Sequence, residues 1–237
     1  MSGGGAEAPG AGRTTPTQRR VRWQQACRIV PTRYPSVYLY DRVADAQDFD
    51  ALYALEAMTN ERLRDELGQV ERVPRAQRRF GPGSGPIMAA FTHVNLSGSR
   101  FSDGAYGVFY AARDRATAVA ETRYHHGRFL AATAQPPLHL PMRLYHVAID
   151  ARLHDLRPAD AVPQAVYDPL DYGAAQALGA RLRRQDSAGV AYQSVRLAGG
   201  HNVGLFNPLG ASACLHAAHL LYLWDGQGFS DVYEKVS

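Results

Sequence analysis

The residues best suited to chemistry fall in one stretch, Gly98–His126, GSRFSDGAYGVFYAARDRATAVAETRYHH. Arg100 sits in a turn with Gly98, Ser99, Ser102, Asp103 and Gly104. Its planar fork matches phosphate or carboxylate, and such a turn can present backbone N–H groups to an anion. Tyr110 follows near the end of a short aromatic strand. Glu121 follows on an alanine-rich helix, among Ala118, Val119, Ala120 and Thr122. A carboxylate on so apolar a face is costly unless it is paired or working. A cation for an anion, a ring for stacking and a carboxylate for a developing positive charge together describe a small-ligand site.

Each of these residues also has a structural reading. Arg100, and Arg28 in the first strand candidate, could form ion pairs inside the fold. Tyr110 could be a core tyrosine with a satisfied hydroxyl, or could stack on a nicotinamide or adenine ring. Glu121 could pair with Arg123, Arg128 or Arg100, or could bind a sugar hydroxyl. Ser194, in YQSVR, has no GxSxG elbow around it, so its hydroxyl is expected to bond to backbone rather than act as a hydrolase nucleophile. Asn202 is either a turn residue or a ligand contact. There is no GxxxxGK[ST] and no GxGxxG. His216 and His219 are three apart and could chelate, whereas His125 and His126 are adjacent and cannot share one helix face. With no HExxH and no third ligand at a usual spacing, no metal site is expected.

These side chains need elements to hold them. Trp23–Ile29 reads as an initial strand or turn, and Pro31–Pro35 as an extended path. Phe49, Leu52, Leu55, Met58, Leu63 and Leu67 space a helix over Phe49–Leu67, with Asp48 as its cap. Pro74–Pro86 reads as a loop, and Pro86–Val94 as helix or buried strand. Val108–Ala111 reads as a strand, and a helix follows from about Asp114, its cap, to His125. Met142–Ile149 alternates as a strand, with a separate short one at Leu153–Leu156. A helix is expected at Ala174–Arg184. Gly189–Ser194 and Asn202–Phe206 form a hairpin across Gly199-Gly200, and Leu220–Trp224 is the last strand. Interspersed helices and strands imply an α/β or α+β single domain over residues 19–237. Residues 1–18, rich in Gly, Ala, Pro and Thr, are expected to be a disordered tail.

Composition narrows the class. The chain has 237 residues, 46% hydrophobic and 20% charged, which suits a globular domain. Its formal charge is +4 and almost all basic residues are arginine, Lys235 being the single lysine. That charge is too small and dispersed to imply direct nucleic-acid binding. Cys27 and Cys214 form no disulfide framework or metal spacing and suit a reducing cytoplasm. No apolar run has a membrane-spanning length, and the N-terminus lacks the apolar core of a signal peptide.

The stretch above, together with the later GVAYQSVRLAGGHNVGLFNP, resembles the RES domain family, the toxins of bacterial RES–Xre toxin–antitoxin modules. The likeness runs roughly from Trp23 to Trp224. It implies an ADP-ribosyltransferase-like fold, with a mixed sheet split around a cleft for NAD. It also implies breakdown of NAD at the nicotinamide–ribose bond, with NAD as substrate, no metal, and transfer of ADP-ribose to phosphate or water. Transfer to a protein, or a weakened NAD-binding module, are the alternatives. By this resemblance Arg28 and Arg100 bind the phosphates, although Cys27 stands where the family usually has a tyrosine before the first arginine. Tyr110 stacks or orients, Glu121 stabilises the ribosyl cation, and Ser194 matches the later family serine, with Asn202 after it. The ligand-binding serine that some members carry before a glutamine is missing from Gly173-Ala174-Ala175-Gln176. The implied partner is a small Xre-like antitoxin that covers the cleft.

Overall fold

The computed structural model describes residues 15–34, 39–57 and 67–235. Strand β1, Gln18–Pro31, opens the fold, with Val21, Ala26, Cys27 and Ile29 buried. Just before it, Thr17 O accepts a hydrogen bond from Asp155 N at 2.9 Å, so the chain has joined the sheet by residue 17. The rest of the expected tail, residues 1–14, lies outside the described residues.

Two short helices follow, α1 at Leu39–Arg42 and α2 at Ala46–Ala57. The expected helix from Phe49 to Leu67 starts earlier than its apolar stripe. Asp45 rather than Asp48 caps it, because Asp45 Oδ1 accepts from Gln47 N and Asp48 N at 2.7 and 3.0 Å. Residues 58–66 of that expectation lie outside the described residues. Pro86–Val94, left open between helix and strand, is a helix: α3, Gly85–Thr92, carries Pro86 in its first turn, where a missing N–H costs nothing.

Strand β2, Phe109–Ala112, leads into helix α4, Arg115–Ala132. Asp114 caps α4 as expected, accepting from Thr117 N at 2.8 Å and Thr117 Oγ1 at 3.0 Å. The helix runs past the expected His125. Leu130 is buried, and Gly127 faces Trp224 and Phe229 at distances that would give a Cβ ordinary van der Waals contact.

Strand β3, Leu138–Asp155, is 18 residues long and absorbs the short strand expected at Leu153–Leu156. Its partners explain this. β1 pairs along one edge from Met142 to His154, and β6, Ala211–Trp224, pairs with it from Leu138 to Ile149. Asp150 does not interrupt the strand, because it faces solvent and pairs with Arg20 and Arg22. Helix α5, Gly173–Arg184, precedes the hairpin β4, Gly189–Gln193, and β5, His201–Leu205. A last strand that the sequence pattern does not announce, β7, Phe229–Glu234, folds back on β6.

The seven strands form one mixed sheet in the order β1-β2-β5-β4-β3-β6-β7. β3–β4 is parallel and every other pair antiparallel. The additional β1–β3 pairing joins β1, β2, β5, β4 and β3 into a ring. That ring is thin at one seam, where β1 and β2 share a single residue pair, Cys27↔Ala112. The chain is therefore α+β with a mixed sheet. No helix of the described residues is long and apolar enough to cross a membrane.

Candidate active site

Glu121 lies about two turns into α4, on the face that Thr117 and Ala118 bury against the sheet. That face meets the end of the β4–β5 hairpin. Gly200 makes the approach possible, since a Cβ there would stand 2.7 Å from Thr117 Oγ1. Two side chains of the hairpin reach one oxygen of the carboxylate. Ser194 Oγ donates to Glu121 Oε1 at 2.7 Å and Asn202 Nδ2 donates to the same oxygen at 2.8 Å. Ser194 Oγ also accepts from Arg196 N and Leu197 N, each at 3.0 Å. With its acceptor capacity used by backbone, its one O–H is left for Glu121.

The expected arginine partners of Glu121 are engaged elsewhere. Among the described residues no arginine lies within 4.0 Å of the carboxylate. Arg123 donates to Phe229 O, Arg128 lies against the Tyr124 ring, and Arg100 donates to Val166 O and Asp168 O. His125 Nε2 stands 3.9 Å from Oε2, and the glutamate side chain is 18% exposed. Packing around the His125 ring, and then the charges of Arg196, Arg100 and Arg128, push its pKa down to about 4. Half of this side chain is open to water, which softens the depression, but its direction leaves the imidazole neutral at physiological pH. The carboxylate thus has neutral hydrogen-bond donors rather than a counter-ion.

Arg100 is 7% exposed. Nη1 donates to Val166 O at 3.2 Å and Asp168 O at 3.0 Å, and the guanidinium lies 4.4 Å from the centre of the Tyr172 ring. It therefore anchors the loop before α5. The turn around it does not offer its N–H groups outward: Phe101 N goes to Tyr110 Oη at 3.0 Å and Gly104 N to Ser102 Oγ at 3.1 Å. Gln176 holds the same turn from α5, donating to Ser99 O and Ser102 O. Tyr110 Oη also pairs with Ser99 Oγ at 2.9 Å, and burial pushes its pKa up to about 12.

Arg28 stands at the thin seam of the sheet. Past Cys27↔Ala112 the strands separate, and Arg28 Nη1 donates to Tyr110 O at 2.9 Å, filling a carbonyl that has no strand partner there. Its guanidinium lies 4.5 Å from the centre of the Phe109 ring, and Nε is buried without a hydrogen-bond partner. Beside it opens a cavity of about 1090 Å³ lined by Arg28, Tyr110, Ser99, Tyr145, Tyr53 and His93 among others. The fold thus brings Glu121, Ser194 and Asn202 into one hydrogen-bonded cluster, with Arg100 across Tyr172 from His125. It sets Arg28 and Tyr110 at the cavity. Tyr110 spans the two regions, bonding Arg28 through its carbonyl and the Arg100 turn through its hydroxyl.

Sequence reasoning did not single out Arg196. Its guanidinium lies 3.2 Å from the centre of the Tyr124 ring, with Nη2 donating to Pro169 O and, at 3.2 Å, to Tyr172 Oη. Only its place two residues after Ser194 hints at this. His216 and His219 do come together, with ring centres 4.4 Å apart. Among the described residues no group of three or more metal-type ligands gathers there or elsewhere.

The RES domain family matches residues 70–225. The uncharacterized protein y4oC of Sinorhizobium fredii (strain NBRC 101917 / NGR234) is 33% identical over 132 residues, covering 55% of this chain. The match spans 56% of that relative, little more than half its length. Among solved structures, the M. tuberculosis MbcT-MbcA toxin-antitoxin complex aligns over 92% of this chain and 86% of the matched chain, at 12% identity and a TM-score of 0.43. So distant a likeness carries no argument about what this chain binds. The family match, which takes in well over half of the sequence and all of the Glu121 cluster, does decide the lineage: the chain belongs to the RES domain family.

Proposed function

We propose that the chain cleaves NAD at the bond between nicotinamide and ribose and passes the ADP-ribosyl group to phosphate or water. The observation that carries this reading is the state of Glu121. One of its oxygens is fixed by Ser194 and Asn202, both neutral, and no guanidinium among the described residues lies within 4.0 Å of it. A carboxylate held in this way keeps its negative field for a cation that develops beside it. Breaking a glycosidic bond makes such a cation on the sugar. Nicotinamide is a good leaving group because it departs neutral from a positively charged nitrogen, so stabilising the ribosyl cation is the main task left to the protein.

The other roles follow from the family resemblance. Arg28 and Arg100 take the pyrophosphate through N–H groups that their carbonyl contacts leave over, and Tyr110 orients the dinucleotide between them. No metal is needed. The whole of residues 19–237 acts as one domain in the bacterial cytoplasm, and an Xre-like antitoxin covers the site until the toxin is released. In the same family a protein side chain can replace phosphate as acceptor, and the same carboxylate would serve.

The test is incubation of the purified chain with NAD, with and without inorganic phosphate, and identification of the products by mass. Nicotinamide with ADP-ribose-1″-phosphate or ADP-ribose is the expected result. Nicotinamide released only when a protein acceptor is added would favour the protein-modifying reading. No loss of NAD under any of these conditions, from a folded protein, would leave an NAD-binding module.

A further inference from the structure

We propose that Arg196 binds the anionic acceptor and so directs the ADP-ribosyl group to inorganic phosphate in preference to water. The inference rests on the reading of Glu121 given above. A phosphate dianion that attacks the ribose must approach the Glu121 carboxylate, and like charges repel strongly where water is partly excluded. The approach needs a cation.

Arg28, Arg100 and Arg196 all lack a carboxylate partner among the described residues. Arg28 belongs to the cavity at the sheet seam. Arg100 is committed to the loop before α5 through Nη1 and, in the reading above, to the pyrophosphate through its other N–H groups. Arg196 is the one tied to the Glu121 cluster. Its backbone N donates to Ser194 Oγ, which donates to Glu121. Its charge acts on His125, whose Nε2 stands 3.9 Å from Glu121 Oε2.

Its side chain is also prepared for a ligand. Stacking on Tyr124 and the Nη2 contacts to Pro169 O and Tyr172 Oη fix the guanidinium plane. These bonds use one nitrogen. Nε is buried and has no hydrogen-bond partner. Being closed to solvent, Nε is out of reach of a ligand; the donor left for a phosphate oxygen is Nη1, since the carbonyl and hydroxyl contacts are both made by Nη2.

The chemistry separates the two acceptors. An oxygen of the phosphate dianion forms a bond to the anomeric carbon as the carbon–nitrogen bond breaks. The electron pair of that bond goes to the nicotinamide nitrogen, and the phosphate keeps its proton. Water must lose a proton in the same step, and the imidazole beside Glu121, His125, is a weak base here. Phosphate therefore needs a cation and no base, which is what Arg196 provides.

The experiment measures the ratio of ADP-ribose-1″-phosphate to ADP-ribose formed from NAD at fixed inorganic phosphate. Arg196→Gln is expected to lower that ratio roughly tenfold or more and to raise the KM for phosphate, as loss of a charged hydrogen-bond donor does. Arg196→Lys, which keeps the charge without the fork, is expected to fall between the two. Arg20→Gln removes an exposed guanidinium that pairs with Asp150 on β3, outside the Glu121 cluster, and is expected to keep the wild-type ratio. Thermal unfolding of each variant establishes that it is folded. An unchanged ratio in Arg196→Gln, or an equal fall in Arg20→Gln, overturns the assignment. So does a wild-type protein that cleaves NAD to ADP-ribose alone in saturating phosphate, although the NAD-cleaving function would then stand. A wild-type protein that leaves NAD intact removes that function, and the assignment with it.

Discussion

Glu121 and Asn202 are 81 residues apart in the chain, yet Asn202 Nδ2 meets Glu121 Oε1 at 2.8 Å. The contact joins the first half of α4 to the start of β5, and it depends on three local features. The Asp114 cap sets the phase of the helix. The β4–β5 register places Asn202 opposite Tyr192, two residues before Ser194. Gly200 removes the side chain that would keep hairpin and helix apart. Asn202 itself is 3% exposed, so its amide is committed to this carboxylate rather than to water.

The first prediction concerns Glu121. Glu121→Gln preserves the shape and an oxygen that Ser194 and Asn202 can still address, but removes the charge. Nicotinamide release from NAD should fall by about two to three orders of magnitude, the scale for loss of one electrostatic stabiliser of a transition state. Far-ultraviolet circular dichroism should be unchanged. A folded variant with wild-type turnover would remove Glu121 from the chemistry.

Asn202 gives a second test, one of stability. Asn202→Ala leaves a partly buried carboxylate short of one donor and should cost about 1–3 kcal/mol. Asn202→Asp should cost more at neutral pH, because it sets a second carboxylate against the first where the amide had donated. Urea unfolding of both variants measures the difference. Equal midpoints would mean that the hydrogen bond contributes little to the fold.

Much of this arrangement can be read from the sequence, and the parts that cannot share a cause. Arg100, Tyr110 and Glu121 stand out because polar groups interrupt small or apolar runs. The β4–β5 hairpin shows in two short apolar segments flanking Gly199-Gly200. The Asp114 cap precedes the alanine-rich run of α4. What stays hidden is set by distant partners. The length of β3 depends on β1 and β6 pairing along its two edges, so what reads as a strand at Met142–Ile149 and a separate short one further on is a single strand through Asp155. The partners of Glu121 are Ser194 and Asn202, while the arginines nearer in sequence point elsewhere. Arg196 looks like an ordinary loop arginine until Tyr124 and Tyr172 are brought against it. Local periodicity carries no information about such contacts.

Gly200 offers a third prediction. A Cβ at this position would stand 2.7 Å from Thr117 Oγ1, 2.9 Å from Thr117 Cγ2 and 3.1 Å from Leu197 O. Thr117 is fully buried and bonded to Asp114, so it cannot swing aside. Gly200→Ala should destabilise the protein by about 1–3 kcal/mol, as overpacking does, and should weaken NAD cleavage by moving Ser194 away from Glu121. Adding Thr117→Ala removes the two closest obstructing atoms and should recover part of both losses. Thermal unfolding and nicotinamide release, measured on the single and double variants, decide whether the effects are coupled.

The fourth prediction is a pH dependence of stability. The pKa of His125 and that of His126 are each pushed down from 6.5 to about 4. Burial is the leading cause in both, followed by Arg196 for the first and Arg33 for the second. In the unfolded chain both titrate near 6.5, so between pH 6.5 and about 4 the unfolded state binds more protons than the folded one. Stability is therefore full above pH 6.5 and declines as the pH falls through this window. His125 is half open to water, so its share of the slope is reduced. Replacing either histidine with glutamine should flatten the curve of unfolding free energy against pH between 6.5 and 4 and leave its shape above pH 7 unaltered. The sign follows from burial of the rings and the positive charges around them: were the folded pKa of either imidazole instead raised above 6.5, the same substitution would steepen the curve.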